Sequence, residues 1–472
     1  MLAALLAGCA PASPIPSAEA STATPSVTPP PATAMALPGM HGLWISPGVP
    51  ETLRTSAEGW GLPLTAEASQ ASVTLDIRQA AGGSQWIYAL VAPFPTVMDG
   101  VTLEQLQAVW KGGSQEAFAG WPLLMNASTL AAFSEAWGRP ASGVQALPDD
   151  QLVDEAWKRL PSWAIVPFEA LDPRWKVLTV DGQSPLRKDF DASRYPLQLH
   201  FALQSGSEDT AALPMPASNR DPQKLTTLIM TGTSALVREI AYQMEVKGLD
   251  YPAQDMGDVL RQADILHVSN EVSFDPDCPP PNPGKNRFYC SDPRYIELFD
   301  KIGVDIVEQT GNHILDNGAR SMLYSLDLYD RHHISYFGGG ANLDEARKVL
   351  VIDYHGNKLA FLGCYAGEPP EPLATAGGPG ANPCDYPLIT SQVRQLRLRG
   401  FLPIVTLQYK EGYSPQVMPW QEADFRKLAA AGAAVVSGSQ SHVPMKMEFY
   451  KDSFIHYGLG NFLFGQMGNQ PP

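Results

Sequence analysis

No segment of this chain approaches the ~18 consecutive uncharged apolar residues of a membrane-spanning helix, so none reads as a transmembrane span. Basic residues are short in supply: 33 Lys and Arg face 49 Asp and Glu, a formal net charge of −16, and no basic stripe offsets it. That balance argues against nucleic acid, or any bare polyanion held by charge alone, as a partner. No GxSxG elbow, HExxH pair or P-loop occurs, which excludes the hydrolase families built on them. Gly338-Gly339-Gly340 lacks the strand-then-helix setting of a nucleotide loop. Cysteine is sparse, five in all, with no CxxC or Cys/His spacing that would suit structural zinc.

What is present is a chain of 472 residues, 44% hydrophobic, too long for one compact domain and rich enough to build a sizeable core. Its first ten residues, MLAALLAGCA, are apolar but short, and read as targeting rather than structure. Leu6-Ala7-Gly8-Cys9 resembles the bacterial lipobox, which implies a signal peptide over 1–9, lipidation at Cys9 and an extracytoplasmic protein anchored to the cell membrane. No Lys or Arg precedes the apolar run, so the true start is expected upstream. Residues 10–39 are almost pure Pro, Ala, Ser and Thr, with too little apolar surface to fold, and are expected to be a disordered tether. Past Cys9, an even number of cysteines in an exported chain favours disulfides. Three pairings are possible for Cys278, Cys290, Cys364 and Cys384; the sequence-local ones, Cys278–Cys290 and Cys364–Cys384, are favoured.

Residues 40–205 alternate short β runs (SVTLDIR, WIYALVAPF, WAIVPF, WKVLTV) with helical ones (LEQLQAVWKG, ASTLAAFSEAWG, DDQLVDEAWKRL), an α/β pattern. Their order resembles part of a periplasmic solute-binding domain, which implies a ligand cleft without naming a ligand. The polar, proline-bearing 206–224 reads as a linker, and a second α/β domain is expected over 225–472. There the strands TLIMTG, ADILHVSN, VDIVEQTG, FLPIVTLQY and AAVVSGS alternate with amphipathic helices, interrupted by hairpins at His355-Gly356-Asn357 and Lys451-Asp452. Ligands of such sheets bind beyond the carboxyl ends of the strands. Those ends carry Thr231-Gly232-Thr233, Ser269-Asn270-Glu271, Gly311-Asn312-His313, Gln408-Tyr409 and Gly438-Ser439-Gln440-Ser441-His442, one polar cluster.

The motifs of this second domain, DYPAQDMGDVLRQADILHVSNE, GVDIVEQTGNHILDNG, HISYFGGGANLDEAR and IHYGLGNFLF, come in the order of the CapA/PgsA capsule-synthesis family, which it resembles from about Leu225 to Gln466. The resemblance implies a calcineurin-like metallophosphoesterase fold, layered α/β, and a part in making or retaining an extracellular polymer such as poly-γ-glutamate. The family's fold continues past its closing motif, so the chain is expected to be truncated at MGNQPP, with an unpaired sheet edge.

Departures from the family pattern bear directly on chemistry. Thr233 stands where the family carries the first-strand aspartate, Gln408 where it has a histidine, and Gln440 where the first histidine of its last motif falls. Threonine and glutamine are neutral and poor donors to a divalent cation, so a dinuclear site is not expected. Asn312 and His313 are the candidate catalytic pair. Asn270, Glu271 and His442, with His313, could hold one divalent metal ion, similar to a 2-His-1-carboxylate grouping. Thr233, Gln408 and Gln440 become candidate ligand-binding positions. Asp316 is expected to cap the following helix, and Asn342 with Glu345 to form a capping box. Three readings stay open: a surface lipoprotein of polymer synthesis or retention with a degenerate metal site, a non-catalytic protein that binds a small molecule, and a mononuclear metal-dependent hydrolase or transferase.

Overall fold

A computed structural model describes residues 41–465, apart from 79–82, 115, 119–120, 206–209, 211–212, 283–288 and 369–371. Cys9, the tether and the residues after 465 lie outside the described residues. Both halves of the chain are α/β, as the alternation of patterns predicts.

The first half is built on a sheet of β1 (Leu43–Ile45), β2 (Val73–Ile77), β3 (Ser84–Pro93), β4 (Leu123–Met125), β5 (Val144–Ala146), β6 (Trp163–Pro167), β7 (Trp175–Val177) and β8 (Gln198–Ser205). The order across it is β1-β2-β8-β3-β6-β4-β5, with β7 also on β3. Helices α1 (Glu51–Glu58), α2 (Leu103–Trp110), α3 (Ala127–Trp137) and α4 (Asp149–Lys158) surround it. Thr102 and Gln105 start α2 with a reciprocal capping box, and Asn126 caps α3 by accepting from the Thr129 N–H. Around Trp86, Trp110, Phe133 and Trp163, all fully buried, lies the larger of this half's two apolar cores.

The second half departs from a single open sheet, because its strands divide into two sheets that face one another. The first contains β9 (Leu228–Ala235), β10 (Ile265–Asn270), β11 (Ile306–Glu308), β12 (Ser335–Phe337) and, from the far end of the chain, β19 (Asn461–Phe464), in the order β12-β11-β10-β9-β19 and parallel throughout. The second runs β13-β14-β15-β16-β18-β17, from β13 (Leu350–Tyr354), β14 (Asn357–Tyr365), β15 (Leu402–Gly412), β16 (Val435–Ser441), β17 (Met447–Tyr450) and β18 (Ser453–His456). Both expected hairpins form, β13–β14 through the His355-Gly356 turn and β17–β18 through Lys451, whose φ of 53° suits such a turn. Ile265, Ile306, Phe337, Phe361 and Ile404 fill the space between the sheets.

Helices α5 (Arg238–Lys247), α6 (Ile296–Ile302) and α7 (Gly318–Arg331) share a core with the first sheet; α8 (Tyr386–Leu398) and α9 (Pro419–Ala430) share one with the second. In α8 the buried Ile389, Val393 and Leu396 recur at helical spacing, and Asp385 caps its start. Helix α5 starts only at Arg238, because Ser234 and Ala235 stay in β9, paired with Asn270 and Phe464. The two halves meet where Phe94 packs on Phe449 and Phe454, and where Lys188 faces Asp264 at 3.5 Å. Both expected disulfides form, Cys278–Cys290 and Cys364–Cys384, as suits a chain matured in an oxidising compartment.

Candidate functional site

The carboxyl ends of β9, β10, β15 and β16 lie at one rim of the paired sheets, and the side chains there bond to one another. Ser439 Oγ donates to Gln408 Oε1 at 2.6 Å, and Gln408 Nε2 donates to Gln440 Oε1 at 2.5 Å. The Gln440 side chain in turn faces the carboxylate of Glu271 and favours its charged form. The result is a directional relay, Ser439 to Gln408 to Gln440, that abuts Glu271; all four residues are buried, and the aligned dipoles of the relay reinforce one another. Thr233 Oγ1 joins the two sheets by accepting from the Gln440 N–H at 3.3 Å, and Gln408 Nε2 reaches Asn312 Oδ1 at 3.4 Å. Gln440 adopts a φ of 73°, a left-handed backbone that a non-glycine residue seldom takes and that concentrates at functional positions.

Close backbone packing explains the glycines of the motifs. A Cβ on Gly311 would lie 2.4 Å from the Glu271 Cα, and one on Gly232 would lie 1.9 Å from the Gly460 carbonyl oxygen. Gly311 therefore lets the Asn312-His313 loop ride against Glu271. The bridge between Val272 and His313 fixes that contact.

His313 Nδ1 meets Asp316 Oδ2 at 2.7 Å, and its ring stacks on Tyr289 at 4.0 Å with parallel planes. Burial works to lower the His313 pKa, but Asp316 and Glu271 outweigh it and the imidazole sits above its ordinary value. Glu271 is fully buried, and burial pushes its carboxyl above the usual carboxylate range against the opposing pull of His313 and His442. His442 is committed on both nitrogens, Nδ1 to Asn461 Oδ1 at 2.9 Å and Nε2 to Glu411 Oε1 at 3.2 Å. The site therefore orients the His313 imidazole and keeps a buried carboxyl, Glu271, at the same rim.

The expected cap does not form at Asp316: α7 starts without a side-chain cap, and the carboxylate turns back to His313. The box at Asn342 does form, with Asn342 Oδ1 accepting from the Glu345 N–H at 3.0 Å. Asn270 shares a strand end with the cleft, but its side-chain amide faces α7, donating to the Val272 carbonyl and to the Tyr329 hydroxyl, each at 2.7 Å.

The metallophosphoesterase resemblance implies a divalent metal here, and the donor set can be tested against it. Thr233 Oγ1 and both glutamine amides are engaged with protein, and His442 has no free ring nitrogen. Among the described residues no three His, Cys, Asp or Glu side chains group so as to hold an ion. The unpartnered Glu271 Oε2 and Asn270 Oδ1 are the buried donors left over. This set does not fit a two-ion centre.

Sequence reasoning overlooked Arg238, Tyr289, Glu411 and Asn461. Asn461 lay within the closing GLGNFLF motif and was open to notice; the others reach the site only through tertiary packing.

The family described as "Bacterial capsule synthesis protein PGA_cap" matches residues 227–466. Over 257 residues the chain is 23% identical to the capsule biosynthesis protein CapA of Bacillus anthracis, covering 53% of this chain and 62% of that protein. Over 238 residues it is 22% identical to the PGA biosynthesis protein CapA of Bacillus subtilis (strain 168), covering 50% and 62%. It thus spans about 62% of the length of each of these relatives. Among solved structures, a 5'-nucleotidase precursor from Thermus thermophilus covers 48% of this chain and 44% of its own at 14% identity and a TM-score of 0.30, too low to carry an argument. The match over 227–466 takes in the whole rim just described, and the chain belongs to the bacterial capsule synthesis protein PGA_cap family.

Proposed function

We propose that this protein is a surface lipoprotein that acts in capsule or poly-γ-glutamate biosynthesis by holding segments of the polymer in the cleft at the rim of the two sheets, without two-metal hydrolysis. The observation that carries this reading is the relay from Ser439 through Gln408 to Gln440, with the Gln440 N–H on Thr233 Oγ1, which spends the side chains at the replaced metal-ligand positions Thr233, Gln408 and Gln440 on protein partners. Beside it the His313 imidazole, bonded through Nδ1, and the unpartnered Glu271 Oε2 remain to meet a polyamide with pendant carboxyls by hydrogen bonding. The family match and the two CapA relatives support the polymer. Lipidation at Cys9 and the 10–39 tether would hold the folded body off the membrane, where the polymer is handled.

The test is retention. The purified chain should co-sediment with high-molecular-weight poly-γ-glutamate, release it as salt rises, and leave its length distribution unchanged. Shortening of the polymer, or equal retention of a neutral polyamide, defeats the reading.

A further inference from the structure

Arg238 opens α5 with a φ of 50°, an uncommon conformation for a residue with a side chain. Its guanidinium lies 4.4 Å from the centroid of the Tyr289 ring, the same ring on which His313 stacks. Tyr289 is itself well fixed: the next residue is tied by Cys278–Cys290, and its carbonyl accepts from Asn317 Nδ2 at 2.9 Å.

Among the described residues, no carboxylate pairs with Arg238 and no acceptor takes its N–H groups. The nearby acids are spent, Glu239 on Gln243 and Asp316 on His313. In a chain with 49 acidic against 33 basic residues, a cation left unpaired beside a polar cleft stands out. The ring holds the guanidinium plane in place while its hydrogen-bonding fork stays unused, and that fork matches a carboxylate in two parallel bonds.

We propose that Arg238, seated on Tyr289 beside His313, is the residue that recognises a carboxylate of the ligand entering this cleft. At a rim that also carries Asp316 and Glu411, a single guanidinium suits a monoanion better than a phosphate dianion, whose second charge those side chains repel. The assignment rests on the cleft's being a ligand site, as proposed above, and supplies the local positive charge that a chain of net charge −16 needs to hold an anionic polymer.

The experiment is calorimetric titration of the full chain with a γ-linked glutamate hexamer and with the same hexamer amidated at its side-chain carboxyls. Arg238→Gln should weaken the acidic hexamer by roughly ten- to a hundredfold and erase the preference over the amidated form. Arg238→Lys should fall between, since an ammonium keeps the charge and loses the fork. Thermal unfolding of each variant checks that the fold is kept. Unchanged hexamer affinity in a folded Arg238→Gln chain overturns the assignment and leaves the polymer reading standing. If the wild-type chain ignores the hexamer, the polymer reading fails; glutarate then tests the seat alone through the Arg238 Nε resonance, and silence there overturns it too. Inorganic phosphate displacing glutarate at lower concentration would overturn the choice of carboxylate.

Discussion

Replacing Gln408 by glutamate would test the relay directly, because the substitution keeps the shape of the side chain and removes one donor. Gln408 is fully buried and donates to Gln440 at 2.5 Å while accepting from Ser439 at 2.6 Å. A carboxylate there still accepts from Ser439 but faces the Gln440 carbonyl with lone pair against lone pair, in a site that gives it no counter-ion. A buried charge without a partner costs about 3–5 kcal/mol. With an m-value of about 3 kcal/mol/M, the urea midpoint should drop by roughly 1–1.7 M at pH 8.

The sign of the pH dependence follows from linkage. An unfolded glutamate titrates near about 4.3, and burial raises the folded value above it. Between those values the native state holds the extra proton, so the penalty is absent below the unfolded value and complete above the folded one. At pH 4 the protonated carboxyl donates to Gln440 as the amide does, and Gln408→Glu should approach the wild-type midpoint. A variant as stable as wild type at pH 8, or one that gains stability and takes up Mn²⁺, would mean that the position belongs to a metal centre and that the relay is misread.

Three other outcomes are expected. Replacing Cys364 and Cys384 by alanine opens a loop of 20 residues and should lower unfolding free energy by about 3 kcal/mol, less than reducing the wild-type chain, which also opens Cys278–Cys290; an unchanged stability would mean that the Cys364–Cys384 bond does not form. Tyr329→Phe strands the donors of Asn270 and Gln309 and should cost about 1–3 kcal/mol with polymer retention intact; lost retention at full stability would put Asn270 in the cleft after all. Glu448 accepts from Arg426 at 2.8 and 2.7 Å and from Tyr457 at 2.6 Å, and the Arg426 contact holds its pKa below the usual range. Glu448→Gln should therefore cost about 1–2 kcal/mol near neutrality, shrinking as acid protonates the wild-type carboxylate; a cost independent of pH would contradict the pairing.

The hairpins at His355-Gly356 and Lys451-Asp452, the core helices and the polar strand ends were legible in the sequence, because turn chemistry and apolar spacing are local. The division into two facing sheets was not, since β19 crosses back to β9 from some 230 residues away, and its Asn461-to-Phe464 register leaves no local mark. Asp316 looked like a cap because it precedes a helix, and only the fold shows that His313 is within its reach. Thr233, Gln408 and Gln440 were visible as departures from the family pattern. That they are joined in a relay abutting Glu271 depends on distances across two sheets, which no spacing encodes. Nothing in the sequence sets Arg238 apart, and Tyr289 comes to it only through tertiary packing.

The most direct measurement of the central claim is the affinity of the full chain for a γ-linked glutamate hexamer before and after exhaustive treatment with a chelator. If, as proposed, binding rests on the Arg238 guanidinium and the polar side chains of the rim and not on a metal, the two affinities should agree within about twofold, less than 0.5 kcal/mol. Loss of binding on chelation, restored by two equivalents of a divalent metal, would contradict it.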